Sequence, residues 1–190
     1  SYDGIFGCVS SSDTCYESPT AVWGDDTYIY IGEGGGSDSI KKFHKDNHSF
    51  LDNQTLTGGQ PPYQIWGDST SLYLAVPSSN QAIKMRKSDL AITHTFGDGV
   101  GGCTSSRTHS PWGIWGDGTY IYVNEQGCNR VTRLSAADLS FVSEEASGTS
   151  SYSEQFVGDD KYLYSSGTPW SHIWKYNLTN ITDYEQPRNG

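Results

Sequence analysis

The chain has 190 residues, of which 34% are hydrophobic and 18% charged, with a formal net charge of −10. That length supports one domain with a core, and polarity drawn from Gly, Ser, Thr and Tyr favours short strands over a helical bundle. The acidic balance, with no basic run longer than Lys41-Lys42, argues against nucleic acid and anionic membranes as partners, and no apolar run reaches the roughly 18 residues that span a bilayer.

Taken in order, the elements repeat. AVWGDDTYIYIGE starts at Ala21, QIWGDSTSLYLAV at Gln64, GIWGDGTYIYVNE at Gly113 and QFVGDDKYLYSSG at Gln155. Their shared glycines, Gly24, Gly67, Gly116 and Gly158, are 43, 49 and 42 residues apart. A second echo follows each phrase: SIKKFHK from Ser39, AIKMRKS from Ala82, RVTRLSA from Arg130 and HIWKYNL from His172. A period of roughly 40–50 residues with strand-like segments inside each unit predicts an all-β fold, a β-propeller of about four four-stranded blades.

The third unit shows the strands best. SPWGIWGD predicts strand a, Gly116-Asp117-Gly118-Thr119 a turn, and Tyr120 to Val123 strand b. Asn124 to Asn129 reads as a loop, Arg130 to Leu134 as strand c and Leu139 to Ser143 as the outer strand d. The expected organisation is a single domain over 1–190, with repeats at 19–57, 62–97, 111–146 and 154–186, preceded by an extra strand and disulfide loop at 1–18.

That extra strand comes from an internal parallel: IFGCVSSSDTCYESPTAVWGD from Ile5 matches TFGDGVGGCTSSRTHSPWGIWGD from Thr95. Ser1 to Gly7 therefore reads as an outer-type strand, while the fourth unit has its own near Ile181 to Gln186. The surplus strand closes the ring on the last blade, pairs with a neighbouring chain to build a polymer, or marks a chain cut from a longer propeller. Ring closure ranks first of the three. Beginning at Ser1 without a hydrophobic leader, the sequence reads as a processed protein or a piece of a longer one.

Pro111-Trp112-Gly113-Ile114, then Asp117, Tyr122-Val123 and Asn129-Arg130-Val131 resemble the NHL repeat of six-bladed propellers. The second unit departs, with Ala82-Ile83 in place of an Arg-Ile pair, and the fourth has Val157 in place of Trp. NHL-type propellers include protein-interaction modules, a peptide-amidating lyase and lyases of cyclic compounds, so the resemblance implies a fold and leaves the function open. The amidating lyase holds zinc with histidines near the axis. No strand a here carries a His, which counts against that activity.

Asp25, Asp68, Asp117 and Asp159 form either a ring of calcium carboxylates or caps on the a–b turns, and capping is preferred because those turns splay apart. Trp23, Trp66 and Trp115 are expected to pack between blades. The histidines are His44, His48, His94, His109 and His172. His44 and His48 straddle a c–d turn, and no H-E-x-x-H or G-x-S-x-G motif is present, so no metal, cofactor or catalytic residue is assigned.

The candidate binding surface is positional. The d–a and b–c loops surround the axial mouth, where Thr20, Tyr63, Trp112 and Glu154 align at the start of strand a. Nearby loops add Arg107, His109, Glu125 and Trp170. Tyr63, Arg107, His109, Trp112, Glu125 and Trp170 are the candidate ligand contacts, suited to a sugar or peptide by stacking and hydrogen bonding. In the alternative, Tyr63 and Trp112 plug a narrow axis.

Four cysteines without a C-x-x-C pair suggest disulfides, Cys8–Cys15 in a local loop and Cys103–Cys128 across the mouth rim. Sequons at Asn47, Asn53, Asn177 and Asn180 map to c–d turns and outer strands. Together these features predict a secreted, glycosylated, non-catalytic propeller that serves as an extracellular structural or adhesive module. Its partner is expected to be protein, itself included as a homopolymer through terminal strand pairing, or glycan. The alternatives are a lectin-like glycan- or peptide-binding propeller and, third, an NHL-type lyase.

Overall fold

The computed structural model describes residues 18–35, 38–56, 58, 61–146, 153–167 and 172–185. They form four four-stranded antiparallel sheets, each with its strands in sequence order. Blade 1 is β1 (Ser18–Gly24), β2 (Tyr28–Gly34), β3 (Ser39–His44) and β4 (Phe50–Thr55). Blade 2 is β5 (Gln64–Gly67), β6 (Ser71–Val76), β7 (Gln81–Arg86) and β8 (Ile92–Phe96). Blade 3 is β9 (Pro111–Gly116), β10 (Tyr120–Glu125), β11 (Arg130–Ser135) and β12 (Phe141–Ala146). Blade 4 is β13 (Ser153–Gly158), β14 (Tyr162–Gly167), β15 (His172–Asn177) and β16 (Asn180–Glu185).

The a–b turns form for the reason the sequence gives. The Oδ1 of Asp25 accepts from the amides of Thr27 and Tyr28, and Asp68, Asp117 and Asp159 repeat that pair of bonds at 2.7–2.9 Å. Each carboxylate thus caps its own turn. At Asp159 the amides of Lys161 and then Tyr162 hold the carboxyl below its usual pKa. At Asp68 burial opposes ionisation, yet the amides of Thr70 and Ser71 and the Tyr73 hydroxyl prevail and lower the pKa.

Register sorts each blade into two faces, because cross-strand partners share a side of the sheet. The forward faces carry the rows Trp23–Tyr30–Lys42, Trp66–Tyr73–Lys84, Trp115–Tyr122–Arg133 and Val157–Tyr164–Lys175. The back faces carry the phrase glycines and apolar rows such as Gly67–Leu72–Met85 and Gly116–Ile121–Leu134. One blade's forward row packs on the next blade's back face. A Cβ placed on Gly67 would stand 2.8 Å from the Trp23 ring, on Gly116 2.5 Å from Trp66, and on Gly158 2.8 Å from Trp115. Glycine is thus required at these positions by a neighbour's indole. Three apolar clusters fill the junctions, and each fully buried Leu or Ile contributes about 1.5–3 kcal/mol.

That interlock stops at the ends. Val157 is 65% exposed, Ile173 beside it is 60% exposed, and on blade 1 Val22 is 70% exposed. Among the described residues, the three atoms nearest a Cβ on Gly24 all belong to Tyr28 and Ile29 of its own blade.

Two expected boundaries move. Strand d of the third unit begins at Phe141, not Leu139, because Leu139 takes a left-handed backbone (φ 57°) that tucks its side chain into the junction between blades 2 and 3. Leu90 does the same in blade 2 with φ 53°, filling the preceding junction. Strand b runs on to Glu125, so the expected loop shortens to a 3-10 turn at Gln126–Cys128. The strand expected at Ser1 to Gly7 and the Cys8–Cys15 bridge lie outside the described residues.

Candidate functional site

At the axial end, where the a strands begin, Thr20 donates through Oγ1 to the Pro62 carbonyl at 2.7 Å and so ties blade 1 to the strand a lead of blade 2. Tyr63 follows at once, and its ring stands 4.4 Å from that of Trp112, centroid to centroid, tilted by 58°. Tyr63 is exposed and Trp112 half-buried, with the indole N–H of Trp112 buried and without an acceptor among the described residues. Beside the pair opens a cleft of about 440 Å³ lined by Thr20, Val22, Ile31, Tyr63, Gln64 and Gln155. It lies where blade 4 approaches blades 1 and 2.

The axis below is bridged by Gln64. Its Oε1 accepts the amides of Ile114 and Phe156, each at 2.9 Å, and its Nε2 donates to the Phe156 carbonyl at 2.6 Å. One side chain of blade 2 therefore fastens the a strands of blades 3 and 4. The repeat did not mark this residue: the fourth unit also has a glutamine there, Gln155, while the first and third have Ala21 and Gly113.

The charged candidates have structural partners. Glu125 is fully buried, and its carboxylate takes Arg130 Nε at 3.1 Å, the Thr132 hydroxyl, and the His109 amide at 3.2 Å. Burial pushes its pKa up, while Thr132, Arg130 and the His109 amide pull against that. Arg130 also reaches Glu144 and donates to the carbonyls of Thr104 and Arg107 at 2.9 and 2.6 Å. The pair thus pins the long loop between β8 and β9. Arg107 itself is exposed and pairs with Asp98 at 2.7 Å. Blade 1 holds a parallel set, with buried Glu33 against Lys41 at 2.7 Å and Ser39 at 3.2 Å.

The same loop is stapled by the Cys103–Cys128 disulfide, as expected from the sequence. The two sulfurs and an imidazole nitrogen of His109 lie within 4.8 Å of one another. Both thiols are consumed by the bridge, so the grouping is a staple beside a ring and offers one free donor. Of the candidates, Tyr63 meets Trp112, and separately the His109 amide meets Glu125. Trp170 and the Glu154 side chain lie outside the described residues. Asn47 sits in an exposed c–d turn and Asn53 on the exposed edge strand β4. Asn177 ends β15, where its Oδ1 accepts the Thr179 amide at 3.1 Å, and the Asn180 side chain is outside the described residues.

Solved structures decide what this architecture is. A streptogramin B lyase superposes with a TM-score of 0.74 at 15% identity, over 95% of this chain and 56% of its own. Virginiamycin B lyase from Staphylococcus aureus superposes at 0.70 and 16% identity, over 89% and 55%. U3-55K gives 0.72 at 13% identity, over 89% and 51%. The fold is a β-propeller. The chain spans about half the length of these propellers, and at such identities the likeness concerns the fold alone. No family model matches the sequence, and no curated protein matches it.

Proposed function

We propose that this propeller is a secreted, non-catalytic structural or adhesive module of the extracellular space, working by the surfaces it presents. The observation that carries this reading is the use made of polar groups around the mouth. Glu125, Arg130 and Gln64 are each committed to bonds that hold loops and blades together, while apolar side chains stand exposed at the ends of the blade series. A disulfide and exposed sequon asparagines fit an oxidising, glycosylating route. In protein from a eukaryotic secretory pathway, intact-mass analysis should find a sugar on at least one of Asn47, Asn53 and Asn177. A bare polypeptide mass overturns the secreted assignment, and turnover in a substrate screen overturns the non-catalytic one.

Binding of glycan or peptide at the mouth is the second reading, favoured by the Tyr63–Trp112 pair and the indole N–H left without an acceptor. An unmet buried donor costs about 1–3 kcal/mol, which a ligand oxygen would recover. A glycan array on the intact protein, with Trp112→Ala as the control that loses the signal, tests it.

A further inference from the structure

Three blade junctions repeat one interlock, and the forward face of blade 4 and the back face of blade 1 hold the two halves of it that no described residue fills. We propose that the forward face of blade 4 docks on the back face of blade 1 in a second copy of this chain, head to tail. The inference rests on the structural-module reading and names its partner.

The forward face of blade 4 keeps the row that is buried at the other junctions. Tyr30, Tyr73 and Tyr122 are almost completely buried, as are Ile40, Ala82 and Val131, whereas Ile173 at the equivalent place is 60% exposed. Ile173 pairs in register with Ser166, next to Tyr164, and with Val157 forms one apolar strip. The back face of blade 1 keeps the receiving glycine: Gly24 occupies the position where Gly67, Gly116 and Gly158 each take a preceding indole. Pattern and counter-pattern thus belong to the same repeat, which identifies the occupant as this chain.

Charge fits as well. At the junction of blades 1 and 2, Lys87 on the c–d turn of blade 2 pairs with Asp25 on the a–b turn of blade 1 at 2.7 Å. Its ammonium also donates to the Asp68 carbonyl of its own blade at 2.7 Å. Lys45 holds the same turn position in blade 1: its amide donates to Thr27 O as that of Lys87 does to Thr70 O. Its ammonium donates to the Asp25 carbonyl at 3.1 Å, copying the second bond of Lys87. The turn positions in blades 3 and 4 are Ala136 and Leu178, so only blades 1 and 2 carry this lysine. Blade 2 uses its lysine on blade 1, and by the same repeat Lys45 would meet a carboxylate of the blade docked before blade 1. Asp159 of blade 4 is that carboxylate in the repeat.

Heterologous contacts that rotate onto themselves close into a ring. Val157 fills the hollow at Gly24 less than Trp would, so the union is reversible.

The test is the mass of the assembly by light scattering or analytical ultracentrifugation, with circular dichroism to confirm folding. Wild type should be a dimer in exchange with monomer. Asp159→Lys and Lys45→Asp should each weaken dimerisation about tenfold or more by setting like charges together, and the double variant should restore it. Val157→Trp should tighten it, a gain that misfolding cannot imitate. A monomeric wild type, or a double reversal that fails to rescue, overturns the proposal. An assembly that forms but ignores all of these substitutions overturns the pairing of faces and leaves the structural-module reading standing; that reading fails separately, on bare mass or turnover.

Discussion

In the third blade the row Trp115–Tyr122–Arg133 lies against blade 4, with the indole seated on Gly158 and the Tyr122 hydroxyl bonded to Asp117 Oδ2 at 3.0 Å. In the fourth blade the corresponding row is Val157–Tyr164–Lys175, and Val157 stands 65% exposed. The backbone, the turn carboxylate and the register are the same in both. What differs is that a described blade packs on the one row and none of the described residues covers the other. Burial in a repeat fold is thus set by position in the series as much as by residue type, and replacement of the large aromatic by Val at the end face limits the apolar surface left in water.

Removing charge partners should separate the two blades most. Arg130→Ala in blade 3 leaves Glu125 buried and uncompensated, and should lower unfolding free energy by about 3–5 kcal/mol in urea titration. Lys175→Ala on the open face should change it by less than about 0.5 kcal/mol. Next come the junction side chains themselves. Trp115→Ala should cost about 3 kcal/mol, against under about 0.5 kcal/mol for Val157→Ala measured on dilute monomer. Equal losses from the two would mean that position in the series does not set burial.

The glycines sharpen the comparison from the receiving side. A methyl on Gly158 would stand 2.8 Å from the Trp115 ring, while on Gly24 its nearest neighbour is the Tyr28 carbonyl at 3.1 Å. Gly158→Ala should lower stability by roughly 1–3 kcal/mol, and Gly24→Ala by under about 1 kcal/mol, as read from thermal unfolding.

The smallest effect is that of acid. The carboxyls of Asp25, Asp68 and Asp159 have folded pKa values below their ordinary ones. A depressed carboxyl contributes stability that is complete above the unfolded pKa near 3.9 and is lost as pH falls through the folded value. Melting temperature should therefore hold from neutrality to about pH 4 and fall below it, and Asp68→Asn should flatten that fall.

The phrase around each glycine was enough to place the four sheets, since turn chemistry and alternation act over a few residues. The Asp caps and the indole contacts followed from the same local pattern. The bridge between Cys103 and Cys128 followed once two loops were assigned to one rim. Other features depend on contacts that spacing does not encode. Glu125 reads as a rim residue in sequence, yet cross-strand pairing with Arg130 turns it inward. Leu139 reads as strand, yet the core draws it into a turn. Gln64 shares its place in the repeat with Gln155, yet its bonds go to two other blades, which spacing does not encode.

That last side chain has a consequence for synthesis. Gln64 bonds to Phe156, 92 residues later in the chain. While a ribosome extends the polypeptide, blades 1 and 2 can form their sheets and share their first indole contact with the Gln64 amide still bound to water. Only when β13 emerges does that amide exchange solvent for backbone at the hub. Blade 4 thus fastens blade 2 after both have been made, and nascent chains ending before Phe156 should keep a hydrated, loosely held centre.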